Sequence, residues 1–137
     1  MVEVTMRYEG SLRCAAEHAP SKARIQTDAP VDNHGRGEAF SPTDLVGAAL
    51  GTCMMTIMGI YAERHGISLE GMTARTVKEM SRTPPRRIAS LRTTIRVPLP
   101  PTHPDRQALE NAAHACPVHA SLHPEIDASV AFEWVGR

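Results

Sequence analysis

The sequence predicts an α+β protein with a mixed or antiparallel sheet wrapped on one long helix. Three observations predict it. The chain opens on a period-two alternation, with Val2, Val4 and Met6 interleaved by Glu3, Thr5 and Arg7. A stretch without a single charge then runs from Leu45 to Ala62 behind a helix-start signal. Beyond it, period two returns around Ile88–Val97, and Ala128–Trp134 closes the chain as a strand. Strands, a long helix, strands, helices and a closing strand make an α+β order, not an alternating parallel one.

Each element has its own local cause. Glu9-Gly10 marks a turn after the first strand, Leu12–Ala15 a short second strand, and Ala23–Thr27 a third. Residues 28–40 form a loop containing Pro30, Asn33, Gly35 and Gly37, and loops of that length in small domains are often functional. Ser41-Pro42-Thr43-Asp44 resembles a capping box, with proline at the first helical position and an acid at the third. The apolar pattern continues to Tyr61-Ala62; Glu63, Arg64 and His65 return the chain to water and Gly66 stops it. Such a helix, about 24 residues and about 36 Å long, is the spine of the fold. An all-round apolar helix is expected to be buried. A membrane span is set aside: Gly47, Gly51, Thr52, Thr56 and Gly59 dilute the stretch and no basic flank orients it. Strands at Met72–Lys78 and Ile88–Val97 follow, the second with a slip between Ile88 and Leu91. A second helix is expected from a capping-box-like Thr102–Asp105 to about Ala115, broken by Cys116-Pro117, with a short helical turn over Pro117–Leu122.

The 137 residues fit one domain, 1–137, divided into N-terminal strands and loop (1–40), central helix (41–66), and strands, helices and closing strand (67–137). A domain this small buries a modest fraction of its surface, so a second copy would complete an unusual interior. Lys+Arg and Asp+Glu each number 15, which argues against a polyanion partner. The one basic cluster, Arg82, Arg86 and Arg87, reads as a solvated loop around Pro84 and Pro85. The N-terminus lacks a basic-then-apolar leader, so a cytoplasmic protein is expected. Three cysteines do not make a secreted disulfide framework. In a reducing compartment they point to catalysis, redox sensing or metal.

The cysteines differ. Cys53 lies mid-helix, where burial keeps a thiol protonated. It is either a small hydrophobe or, if a cation reaches it, a nucleophile. Cys116 precedes Pro117 at a helix break, where it can cap the following turn, and a helix start lowers a thiol's pKa. His114 and His119 are its neighbours in sequence, and a plain helix-breaking loop is the alternative. Cys14, beside Arg13, is expected to have no role. Cys116, His119 and His123 have ligand-like spacings, yet CxxC, HExxH and a fourth ligand are missing and Pro124 follows, so no metal is expected.

Two runs resemble the OsmC/Ohr family. Phe40-Ser41-Pro42-Thr43-Asp44-Leu45-Val46-Gly47-Ala48-Ala49-Leu50-Gly51-Thr52-Cys53 is similar to the family's helix start leading to a buried cysteine. His114-Ala115-Cys116-Pro117-Val118-His119-Ala120-Ser121-Leu122 is similar to its second cysteine motif, about 60 residues on. The resemblance covers nearly the whole chain. It implies an OsmC-like fold, an intertwined homodimer with two active sites at the subunit interface, and an antioxidant role in the oxidative stress response. It implies that Cys53 attacks an organic hydroperoxide and becomes a sulfenic acid. Cys116 then resolves it to a disulfide, and a dithiol, lipoyl-linked in the best-known members, reduces that disulfide. No cofactor, metal, nucleic acid or membrane is implied.

The resemblance also implies an arginine that activates the attacking thiolate. Arg13 is the best match and Arg36 the competitor. One position departs from the family. Where the hydroperoxide branch carries a glutamate that holds the arginine, ten residues before the helix cysteine, this chain has Thr43. Asp44 is rotated from it by about 100° on a helix, and Glu38 in the loop is a candidate substitute. That departure keeps a second function open, a non-enzymatic redox sensor or small-molecule-binding protein.

Overall fold

The opening alternation becomes strand β1 (Val4–Gly10), followed by β2 (Arg13–His18) and β3 (Arg24–Asp28) in an antiparallel meander of order β1-β2-β3. The computed structural model describes residues 1–137, which fold as two units, Met1–Val46 and Gly47–Arg137. The β1–β2 turn falls at Ser11 and Leu12, both left-handed with φ of 54° and 62°. Those are the signs of a type I′ hairpin, whose handedness matches strand twist. Leu12 is thus a turn residue, not the start of β2, and the expected turn at Glu9-Gly10 moves on: Gly10 pairs with Arg13. Directly paired residues share a sheet face, so Val4, Met6, Tyr8 and Ile25 lie together on one side, and all four are exposed. After β3 the loop makes a 3-10 turn at Val31–Asn33, and the Asp28 N–H then donates to Phe40 O at 3.1 Å.

Helix α1 (Pro42–Arg64) starts as its sequence predicts. The Asp44 N–H donates to Ser41 Oγ at 3.1 Å and the Ser41 N–H to Asp44 Oδ2 at 2.9 Å, a reciprocal capping box. It ends in a Schellman motif: Gly66 takes φ 66°, its N–H bonds Glu63 O, and Ile67 N–H bonds Ala62 O at 2.9 Å.

In the second unit, β4 (Thr73–Met80) pairs antiparallel with β5 (Ile88–Val97), and β6 (Val130–Trp134) joins β5 in parallel. The slip read between Ile88 and Leu91 is a β-bulge, since Met80 pairs with Ile88 while Glu79 pairs with Ser90. Beyond it Leu91, Thr93, Ile95 and Val97 are buried on one face of β5. The buried side of α1 carries Gly47, Leu50, Gly51, Met54, Met58 and Ala62, spaced three and four apart. Gly47 and Gly51 set a close approach: a Cβ on either would touch Thr76 of β4.

Two expectations need correction. The helix is not buried all round within this chain: Ala49, Thr52, Thr56 and Ile60 form an exposed stripe. An apolar pattern records burial without naming what does the burying. The second capping box is also not formed. Helix α2 (Arg106–His114) has Asp105 at its N-cap without a side-chain cap bond. The Asp105 carboxylate is occupied, accepting from the Tyr61 hydroxyl of α1 at 2.9 Å. The middle of α2 is tied to β6, because Glu110 accepts from Trp134 Nε1 at 2.9 Å, and Glu110 also accepts from Arg106 Nε at 3.2 Å.

Candidate active site

Cys53 faces out of the middle of α1, half-buried. Cys116 follows the last turn of α2 and is the N-cap of helix α3 (Pro117–Ser121). Its backbone is fixed on both sides: its N–H donates to Ala113 O at 3.3 Å and its carbonyl accepts from Ala120 N–H at 3.1 Å. The Cys116 sulfur accepts from the His119 N–H at 3.5 Å, so the predicted cap is formed. The Cys53 thiol is a near neighbour of that sulfur and acts on its pKa. Both are free thiols, brought together from positions 53 and 116.

The two thiols are not equivalent. Cys116 is fully buried. Burial first, and the neighbouring Cys53 thiol second, push its pKa above the ordinary thiol value, while the His119 and Val118 amides pull the other way. This reverses the expectation that a helix start makes Cys116 the reactive thiol. A capping amide offers a partial charge, and removing a sulfur wholly from water outweighs it. Cys116 thus holds its proton more tightly than an ordinary thiol does. The half-buried Cys53 retains access to solvent.

In the first unit, Arg13 is gripped by two carboxylates. Its Nε and Nη2 donate to Asp28 Oδ1 and Oδ2 at 2.7 and 2.8 Å, and Nη2 also donates to Glu38 Oε2 at 3.0 Å. Glu38 is thus an arginine partner, as read from the sequence. Asp28 was missed, although it is the stronger grip. Its carboxylate is buried, accepts the Glu38 N–H at 3.2 Å, and is held below the usual carboxylate range by the Arg13 hydrogen bonds, with a smaller contribution from the charge of Arg36. The signal lay in strand register, since Arg13 and Asp28 are directly paired across β2 and β3. Thr43 takes no part: its hydroxyl lies 3.2 Å from Ser41 Oγ inside the cap. Asp44 is engaged by the same cap.

The remaining candidates disperse. Cys14 sits half-buried on β2 opposite Tyr8 and Thr27. The His114 ring meets Phe132 edge-on, 6.0 Å between centroids. His123 Nδ1 accepts the Glu125 N–H at 3.2 Å. Cys116, His119 and His123 do not converge as metal ligands.

The family model for OsmC-like protein matches residues 35–131. A protein of Psychrobacter arcticus 273-4, described as an osmotic stress induced and detoxification response protein, is 41% identical in sequence. Its structure superposes with a TM-score of 0.90 over 96% of both chains. The Legionella pneumophila organic hydroperoxide resistance protein OsmC is 18% identical, with a TM-score of 0.75 over 98% of this chain and 97% of that one. An OsmC like protein from Mycoplasma pneumoniae, 14% identical, also reaches 0.75 over 98% of each chain. At those identities the last two are likenesses of fold. No match is found among curated protein sequences. A helix cysteine meeting a second cysteine at a helix cap, on a chain that matches the family over residues 35–131, makes this protein a member of the OsmC-like family.

Proposed function

We propose that the chain is a thiol-dependent peroxidase that reduces organic hydroperoxides through Cys53 and Cys116. The observation that carries this reading is the nearness of two free thiols from distant positions, one half-buried and one wholly buried. Cys53 as thiolate attacks the distal peroxide oxygen, the O–O bond breaks, and the alkoxide leaves as an alcohol after taking a proton. Cys53 becomes a sulfenic acid. Cys116 then condenses with it, forming the disulfide and releasing water. A dithiol of the lipoyl class reduces the disulfide by exchange and leaves oxidised. The raised pKa of Cys116 suits the resolving role. It holds its proton more tightly than an ordinary thiol and already neighbours the sulfur it must join. Arg13, fully charged at any working pH, is the thiolate-activating cation.

The protein works as a cytoplasmic homodimer in this reading. The exposed apolar face of β1 and β3 and the exposed stripe of α1 support an arrangement in which a second chain covers them.

The test is consumption of cumene hydroperoxide with dihydrolipoamide. Cys53→Ser abolishes turnover. Cys116→Ser retains the first oxidation and then accumulates sulfinic acid at Cys53, seen by mass spectrometry. Both variants turning over like the parent defeats the proposal. Stoichiometric Cys53–Cys116 disulfide without steady-state peroxide loss selects a redox sensor instead.

A further inference from the structure

A cation that activates a thiolate must be aimed as well as charged, and Arg13 is held in a specific way. Three of its five N–H donors are committed, two to Asp28 and one to Glu38. Both Nη1 donors remain without a protein acceptor. The two carboxylates are unequal: the Asp28 side chain is 1% exposed, whereas that of Glu38 is 65% exposed. An exposed ion pair contributes little and is screened by salt. A buried, bidentate one is geometrically exacting, and breaking it leaves a charge stranded out of water.

The base of the clamp is sheet, not loop. Arg13 and Asp28 stand opposite each other on the β2–β3 ladder, so both roots are fixed by backbone hydrogen bonds. Asp28 is fixed further by the Glu38 N–H, and its own N–H is anchored to Phe40 O. Glu38 reaches Arg13 from the loop before α1.

We infer that Asp28 is the positioning residue of this protein's chemistry, gripping Arg13 so that its Nη1 fork is the one face left for an anion, with Glu38 as an outer, dispensable hand. The inference rests on the reading that Arg13 serves Cys53. It names the residue that stands in for the missing glutamate at position 43. The anion is a thiolate or the developing negative oxygen of a hydroperoxide. Both are recognised through the same two N–H donors.

The test measures iodoacetamide alkylation of Cys53 against pH by peptide mapping, alongside the hydroperoxide rate. Asp28→Asn is expected to raise the alkylation midpoint by about one pH unit and slow peroxide reduction about tenfold, since a misaimed cation stabilises the thiolate less. Glu38→Gln is expected to shift both the midpoint and the rate less than Asp28→Asn does. Arg13→Lys should behave like Asp28→Asn, because an ammonium is a point charge that two carboxylate oxygens cannot fork. A parent-like midpoint and rate in Asp28→Asn overturn the inference. Should that variant fail to fold, a parent-like Arg13→Lys overturns it instead. An unmoved midpoint in Arg13→Met removes the Arg13–Cys53 assignment and this inference with it, whereas a moved Arg13→Met beside an unmoved Asp28→Asn removes Asp28 alone. Absence of turnover in the parent refutes the peroxidase reading, while the alkylation midpoints still decide the role of Asp28.

Discussion

The position of Cys53 depends on how closely α1 lies on its sheet, and Gly51, two residues away, controls that distance. A Cβ added at Gly51 would stand 3.2 Å from Thr76 Oγ1 and 3.9 Å from the Ala74 Cβ. The Thr76 hydroxyl cannot retreat freely, because it shares a 2.8 Å hydrogen bond with Thr93 Oγ1, and Thr93 is buried. Gly51→Ala gains about 1 kcal/mol of helix propensity. It loses about as much by straining that buried hydroxyl pair, so it should be nearly neutral. Gly51→Val adds two more methyl groups in the same gap. Overpacking of about 1–3 kcal/mol and the broken hydroxyl pair together make it about 3 kcal/mol less stable. Gly59→Ala is the internal control on the same helix. Nothing lies within 4 Å of its added Cβ, so it should gain up to about 1 kcal/mol. Urea unfolding followed by the single tryptophan, Trp134, reads all three, with an unchanged slope required for the comparison. The functional consequence is separate: Gly51→Val should slow peroxide-induced Cys53–Cys116 disulfide formation, and Gly59→Ala should not. Gly51→Val as stable as Gly59→Ala would refute the packing argument.

Other outcomes follow from the charged and polar groups. Because the folded-state pKa of Cys116 is raised, its contribution is intact below the unfolded thiol value of about 8.5 and is lost as pH rises above it; the urea midpoint should fall on the alkaline side, and Cys116→Ser should flatten that limb. Asp28 and Asp127 are shifted the other way, by Arg13 and Arg92 respectively. Their contributions are present above about pH 3.9 and vanish as pH falls through the lower folded values, so midpoints should drop below pH 4 and Asp28→Asn should blunt the drop. Tyr61→Phe deletes the bond that holds Asp105 at the start of α2, and melting should fall by about 4 °C, the scale of one hydrogen bond in a chain of this length. An unchanged melting temperature would make the Tyr61–Asp105 bond incidental.

What could be read from residues alone was what local physics decides. Ser41 and Asp44 cap α1 because a capping box closes within four residues, and Gly66 ends it because only a left-handed residue completes that motif. The slip at Ile88 survives as a bulge for the same reason. Asp105 shows how a local rule fails: it has the right residue at the right place, and a tyrosine 44 positions earlier in the chain takes its carboxylate. Cys116 fails similarly, its nearby amides overruled by burial. The partner of Arg13 needed one further step, the register of two short strands, which turns a distant aspartate into a direct neighbour. That register also changes the meaning of Thr43. Without it, the missing glutamate reads as a lost clamp. With it, the threonine belongs to the helix cap and the arginine is held from the sheet, so the position that departs from the family pattern no longer argues against the chemistry proposed for Cys53.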